Sequence, residues 1–140
     1  MDNERIKLID LPKIEDKIGN LSFFQNNDQI PFSIKRTYWI YDVPGGQYRG
    51  SHAFKKQQEF IIALSGSFDI ILHDGNNEKR IQLNRSYYGL FVSNMIWRSL
   101  ENFSTNSLAL IVSDLDFDES DYIRDFNEFK RLNKNENNSI

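Results

Sequence analysis

Between residues 20 and 113 short apolar–polar alternating runs are each closed by a turn signal at intervals of about ten residues, a rhythm that only a sheet-built fold satisfies. Strands are expected at Leu21–Gln25, Ile34–Asp42, His52–Phe54, Gln58–Leu64, Ser67–His73, Lys79–Leu83, Tyr87–Phe91, Ile96–Leu100 and Ser107–Val112. The connectors carry turn chemistry: Pro44-Gly45-Gly46, Ser65-Gly66-Ser67 and Asp74-Gly75-Asn76-Asn77. The last of these reads as a hairpin tip, which makes His73 beside it a solvated turn histidine. Aromatic residues make up 14% of the chain, with 11 Phe and 6 Tyr, and they pack well on pleated surfaces. The expected class is therefore all-β, a barrel or sandwich. One domain over 1–140 is expected, with no internal repeat and no linker.

Both ends depart from this rhythm. Ile6–Ile9 is apolar enough for a strand before Pro12, and an extended arm of this kind (residues 1–12) pairs with its own sheet or with a partner's edge. From Ser120 to Leu132 the period changes. Tyr122, Ile123, Phe126, Phe129 and Leu132 recur at three- and four-residue spacing, which predicts one C-terminal helix over 120–132, capped by Ser120 or Asp118. The polar tail Asn133–Ile140 is expected to fray.

Several classes of function are disfavoured. A net charge of −3 argues against general nucleic-acid binding. No apolar run approaches the roughly 18–20 residues that span a bilayer, and the Met1–Arg5 start lacks signal-peptide character. There is no cysteine, so neither a disulfide framework nor a thiolate nucleophile is available. A cytoplasmic protein is the expectation. Basic residues gather locally at Lys35-Arg36, Arg49 and Lys55-Lys56. Of these, Arg36 and Arg49 suit a phosphate, which a guanidinium matches in bidentate geometry.

Two further patterns concern chemistry. Gly46, five residues, His52, one residue, Phe54, four residues, Glu59, six residues and Gly66 resemble the first motif of the cupin barrels, with Phe54 where a second histidine is expected. Gly89, Ser93-Asn94-Met95, Arg98 and Asn102 resemble the second motif, with Arg98 replacing its histidine. The fold implied is a cupin-type β-barrel or jelly roll with one C-terminal α-helix. A metal ion needs three or four placed ligands. With two histidines in the chain and Arg98 at the centre, no metal and no cofactor is expected; Glu59 would pair with a cation or hydrogen-bond the barrel. What remains is His52, a proton carrier near neutral pH, and Arg98, a fixed cation for an oxyanion. That set suits proton abstraction beside a carbonyl and does not suit nucleophilic hydrolysis. On spacing alone His52 is equally open to a structural role.

In order along the chain, Asp16–Leu21, Ile30–Arg36, Arg49–Lys56, Leu64–Ser67, Gly89–Val92, Ile96–Arg98 and Asp118–Arg124 are together similar to the nucleotide-sugar 3,4-ketoisomerases of the cupin superfamily. The resemblance covers about Ile6 to Lys130. It implies a metal-free enzyme that converts a dTDP-4-keto-6-deoxy-D-glucose to the 3-keto sugar through an enediol or enediolate, for later amination to a 3-amino-3,6-dideoxy sugar. It implies catalytic roles for His52, Arg98 and Tyr38, and substrate or nucleotide binding by Arg36, Arg49 and Asn94. It also implies a homodimer that exchanges the N-terminal strand. Arg98 after Trp97 resembles members leading to gluco-configured products, with Ile18 at the companion position. Phe54 departs from the family's His-x-His pair, so His52 must serve both transfers or a tyrosine or water must assist. An alternative is a non-catalytic cupin that binds a nucleotide sugar as an accessory or sensor subunit; another is an isomerase or epimerase with a shifted substrate.

Overall fold

The structure, a computed structural model, describes residues 4–138. Twelve strands, one single-turn 3-10 helix and one α-helix follow one another as β1 (Ile6–Asp10), β2 (Lys13–Ile14), β3 (Leu21–Ser22), β4 (Arg36–Tyr41), β5 (Arg49–Phe54), β6 (Glu59–Ser65), β7 (Phe68–His73), β8 (Glu78–Leu83), β9 (Tyr88–Val92), β10 (Trp97–Glu101), β11 (Leu108–Ser113), the 3-10 turn Glu119–Asp121, β12 (Tyr122–Ile123) and α1 (Phe126–Asn138). The main strands form two antiparallel sheets, in the orders β1-β9-β6-β11-β4 and β12-β5-β10-β7-β8. This is the all-β sandwich that the alternation calls for.

Strand periodicity decides what fills it. The inner face holds Ile61, Ala63, Leu90, Ala109 and Ile111 from one sheet against Phe68, Ile70, Leu72 and Leu100 from the other. β6 is apolar on both sides, because Phe60 and Ile62 point the other way and are covered by Leu11, Ile30 and Phe32. Each such side chain contributes roughly 1.5–3 kcal/mol when fully buried. Core packing fills only part of the interior. On β4, β5, β6 and β10 the inward positions Tyr38, His52, Glu59 and Arg98 are polar, and they share one end of the barrel.

Two expectations change at the C-terminus. The helix does not begin at Ser120. Asp118 caps the 3-10 turn, accepting from the Ser120 N–H at 3.0 Å, and Tyr122 and Ile123 then pair with Phe54 and Ala53 of β5. Only at Asp125, which accepts from the Asn127 N–H at 2.8 Å, does the helix start. The three- and four-residue spacing misled because the strand and the helix bury their apolar residues in one cluster, around Ala53, Met95, Ile123 and Phe129. The tail from Asn133 is not a plain coil either. The helix continues to Asn138, and Asn133 is buried and donates to the Asp74 carbonyl at 2.7 Å. Residues 139 and 140 of that tail lie outside the described residues. His73 does accept from the Gly75 N–H across the hairpin tip, yet its ring also packs 5.0 Å from Phe126, so it is partly buried under the helix.

At the other end β1 lies along β9 of its own chain, Ile6 opposite Val92 and Asp10 opposite Tyr88. Residues 1–3 of the arm are outside the described residues. Beyond it, the β2–β3 hairpin leaves Ile14, Ile18 and Leu21 largely in solvent, Ile18 at 95% exposure.

Candidate active site

Arg98 organises the polar end of the barrel. Its Nε donates to Glu59 Oε1 at 2.9 Å, and one terminal nitrogen donates to Glu59 Oε2 at 3.0 Å and to the Tyr38 hydroxyl at 2.9 Å. The other terminal nitrogen donates to the Gly50 carbonyl at 2.8 Å. Tyr38 gives its own proton to Glu59 in a short hydrogen bond. Arg98 and Glu59 are each only 1% exposed, so neither charge would be tolerable without the other. Burial works against the guanidinium's charge, but Glu59 and Tyr38 more than offset it and its pKa stays raised. The Tyr38 phenol is held well above its usual range, first by burial and then by the Glu59 carboxylate.

This arrangement answers the metal question from the donor set. Both Glu59 oxygens are occupied by a guanidinium, and among the described residues no three His, Asp or Glu side chains converge.

The backbone supports the same cluster. Gly50 has φ of 69°, and a Cβ there would stand 2.3 Å from an Arg98 terminal nitrogen. Only glycine allows the guanidinium to reach that carbonyl.

His52 lies directly opposite Arg98 in the β5–β10 register. Its ring is buried, edge-on to Phe54 at 4.8 Å and to Tyr122 at 4.9 Å, and its Nδ1 has no partner among the described residues. Burial, then the charges of Arg98, Arg124 and Arg36, push its pKa down to about 2. In the unliganded protein His52 is a neutral imidazole at every physiological pH.

A cleft of about 460 Å³ opens above these groups, lined by Tyr38, Tyr48, Arg49, Gly50, His52, Arg98, Tyr122 and Arg124 among others. Four of the six expected site residues are thus brought together: His52, Arg98, Tyr38 and Arg49. Two are not. Asn94 does not line the cleft; it sits in the β9–β10 turn, where its amide donates to the Lys55 carbonyl at 2.8 Å and ties two turns together. Arg36 stands behind the wall. It stacks between the rings of Tyr38 and Phe117 and donates to the Tyr122 hydroxyl at 3.0 Å. In its stead Arg124 faces the cleft, gripped by Glu119 through bonds of 2.7 and 2.9 Å. Tyr122, Arg124 and Gly50 were not singled out from the sequence. Gly50 was readable as a strand-interior glycine beside a site histidine, but the other two lay in a segment with helical spacing.

Chemically, the cleft offers a neutral base, guanidinium groups for anionic oxygens, and phenols able to move a proton. The family model FdtA: WxcM-like, C-terminal matches residues 4–134. TDP-4-oxo-6-deoxy-alpha-D-glucose-3,4-oxoisomerase of Aneurinibacillus thermoaerophilus is 39% identical over 125 residues, 89% of this chain and 90% of that protein. The crystal structure of QdtA, a sugar 3,4-ketoisomerase from Thermoanaerobacterium thermosaccharolyticum in complex with TDP, superposes with a TM-score of 0.92 at 34% identity, covering 94% of this chain and 96% of that one. WlaRB, a TDP-quinovose 3,4-ketoisomerase from Campylobacter jejuni, does so with a TM-score of 0.87 at 40% identity, covering 91% and 98%.

Proposed function

Because this chain belongs to the FdtA, WxcM-like C-terminal family, we propose that it is a 3,4-ketoisomerase that converts a TDP-linked 4-keto-6-deoxyglucose to the 3-keto sugar. The observation that carries the reading is the pairing of His52 with Arg98 in one cleft, a base beside a cluster that tolerates charge. His52 removes the proton from C3. The C4 carbonyl oxygen gains negative charge as the enediolate forms, and N–H and O–H groups fixed beforehand stabilise it without having to reorganise. The same imidazole then returns the proton at C4, which lies on the adjacent carbon and within reach on one face.

An imidazole whose pKa stands near 2 is a weak base. Burial holds it down first and the charges of Arg98, Arg124 and Arg36 add to that; one of these, Arg124, also faces the substrate. Arg49, with no ion-pair partner among the described residues, and Arg124 line the cleft where a diphosphate would bring negative charge. Neutralising the charge of Arg124 lifts the basicity of His52 when substrate is bound and not before.

The functional unit in this reading is a homodimer in which residues 1–12 cross to the partner. The exposed Leu8, Ile14, Ile18 and Leu21 favour it, since they form an apolar stretch that a second copy would cover. Exchange would replace the β1–β9 pairing with the same register between chains.

Phe54 favours a second reading, a nucleotide-sugar-binding protein without turnover, because its ring, packed on His52, can carry no proton. The two separate on one experiment. Purified protein incubated with TDP-4-keto-6-deoxyglucose and followed by proton NMR yields the 3-keto sugar if the first reading holds. Tight binding of TDP with an unchanged sugar would establish the second.

A further inference from the structure

Tyr122 stands where four supports meet. Its ring packs edge-on against His52 at 4.9 Å and Phe54 at 4.6 Å, and the Arg124 guanidinium lies 4.3 Å above it. Arg124 is itself fixed on Glu119. Arg36 donates to the hydroxyl oxygen at 3.0 Å, and the Nε of that arginine is buried with no partner among the described residues. Leaving an N–H unpaired is unfavourable. The fold accepts this and so keeps a cation on the Tyr122 oxygen.

Of the three phenols lining the cleft, Tyr48 is largely exposed, and the two beside His52, Tyr38 and Tyr122, are not equivalent. The Tyr38 proton is committed to Glu59, and its oxygen also accepts from Arg98. The Tyr122 oxygen accepts from Arg36, while its own proton meets no acceptor among the described residues, and the side chain faces the cleft beside His52. A guanidinium bonded to a phenol oxygen stabilises the phenolate that remains when that proton leaves.

The isomerisation moves two protons, one between carbons and one between oxygens. We propose that Tyr122, held by Arg36, carries the oxygen-bound proton while His52 carries the carbon-bound one. As His52 takes the proton from C3, the C–H electron pair becomes the C3–C4 double bond. The C4 carbonyl π pair then moves to O4, which takes the Tyr122 proton. The phenolate, stabilised by Arg36, next removes the proton from O3. The O–H pair becomes the C3 carbonyl, and the double-bond pair at C4 takes the proton back from His52. Tyr122 and His52 both end as they began, and no oxidant or further reactant is needed. In this arrangement Phe54 is the wall against which the Tyr122 ring is set, and no second histidine is called for.

The inference rests on the ketoisomerase reading, so the wild-type protein is assayed alongside. Tyr122→Phe removes only the hydroxyl. With TDP affinity by calorimetry kept within about 3-fold, turnover should fall by about 10²-fold or more, the usual cost of losing a proton carrier. Arg36→Lys is the second variant: its turnover should fall and the basic limb of its pH–rate profile should move up, a change that a merely structural role would not cause. Turnover of Tyr122→Phe near the wild-type level overturns the inference, as does an unaltered pH profile in Arg36→Lys. If Tyr122→Phe does not fold, the Arg36→Lys profile decides alone. Wild-type protein that binds TDP yet never converts the sugar would overturn the ketoisomerase reading itself, a result distinct from an active Tyr122→Phe.

Discussion

Arg98 holds both carboxylate oxygens of Glu59 at 2.9 and 3.0 Å in a part of the barrel that solvent does not reach. The pair is a fixed internal salt, and its stability depends on completeness. Glu59→Gln leaves the Arg98 guanidinium buried with half its compensation gone. Breaking one side of such a pair costs about 3–5 kcal/mol, which denaturant unfolding would register as a lowered midpoint. The double change Glu59→Leu with Arg98→Met should cost less than the sum of the single changes, because it removes the stranded charge.

His52 makes stability depend on pH in one direction. Its pKa is about 2 in the folded chain against 6.5 for the free group. Above pH 6.5 it is neutral in both states and adds no slope. Below that the unfolded chain takes a proton that the folded chain refuses, so stability falls as pH drops, by up to about 1.4 kcal/mol per pH unit. Unfolding free energies measured between pH 4 and 7 should show this slope in the wild type, and His52→Asn should lose its share of it.

Bound TDP should raise the protonation midpoint of His52, because the diphosphate offsets the positive charges that help depress it. Histidine ring shifts followed by NMR through a pH titration, with and without TDP, would reveal the movement. His73, which packs on Phe126 and does not line the cleft, serves as an internal control with a smaller response.

Restoring a histidine at Phe54 should not raise turnover. The position is buried and touches His52 and Tyr122 through ring edges, so a new imidazole there meets mainly ring carbon, the unpartnered Nδ1 of His52 aside. Phe54→His is expected to lower stability by about 1–3 kcal/mol, the cost of an unsatisfied buried polar group, and to leave the rate at or below that of the wild type. Steady-state kinetics and thermal unfolding on one preparation measure both.

Gly50→Ala should damage the site without replacing any side chain in it. A methyl group at 2.3 Å from Arg98, on a backbone with φ of 69°, must displace the guanidinium or the strand. Turnover should fall while the far hairpin, reported by the His73 ring signals, stays unchanged.

Much of this was legible in the alternation of the chain. The strands from β4 to β11 follow it closely, because each has one face on the core and the pattern is what burial selects. β12 was not legible, since two residues of strand after a 3-10 turn carry too little periodicity to oppose the helical spacing that runs on through Phe126 and Phe129. Missing β12 also hid Tyr122, which lies extended against β5, and Arg124, which follows that strand. Arg36 and Asn94 were placed near the substrate from the family resemblance and from charge, but which way a side chain faces is set by tertiary packing. Phe117 and Tyr38 take up Arg36, and Lys55 takes up Asn94. His52 and Arg98 were readable because their motif spacing fixes the register between β5 and β10.

The central claim is that His52 moves a carbon-bound proton in this cleft. On His52 the proton taken from C3 exchanges with solvent in competition with its return, so protein given TDP-4-keto-6-deoxyglucose in deuterium oxide should yield 3-keto product carrying deuterium at C4 in part of the molecules, and His52→Asn should bind TDP normally and incorporate none. Incorporation by His52→Asn at the wild-type rate would contradict the account.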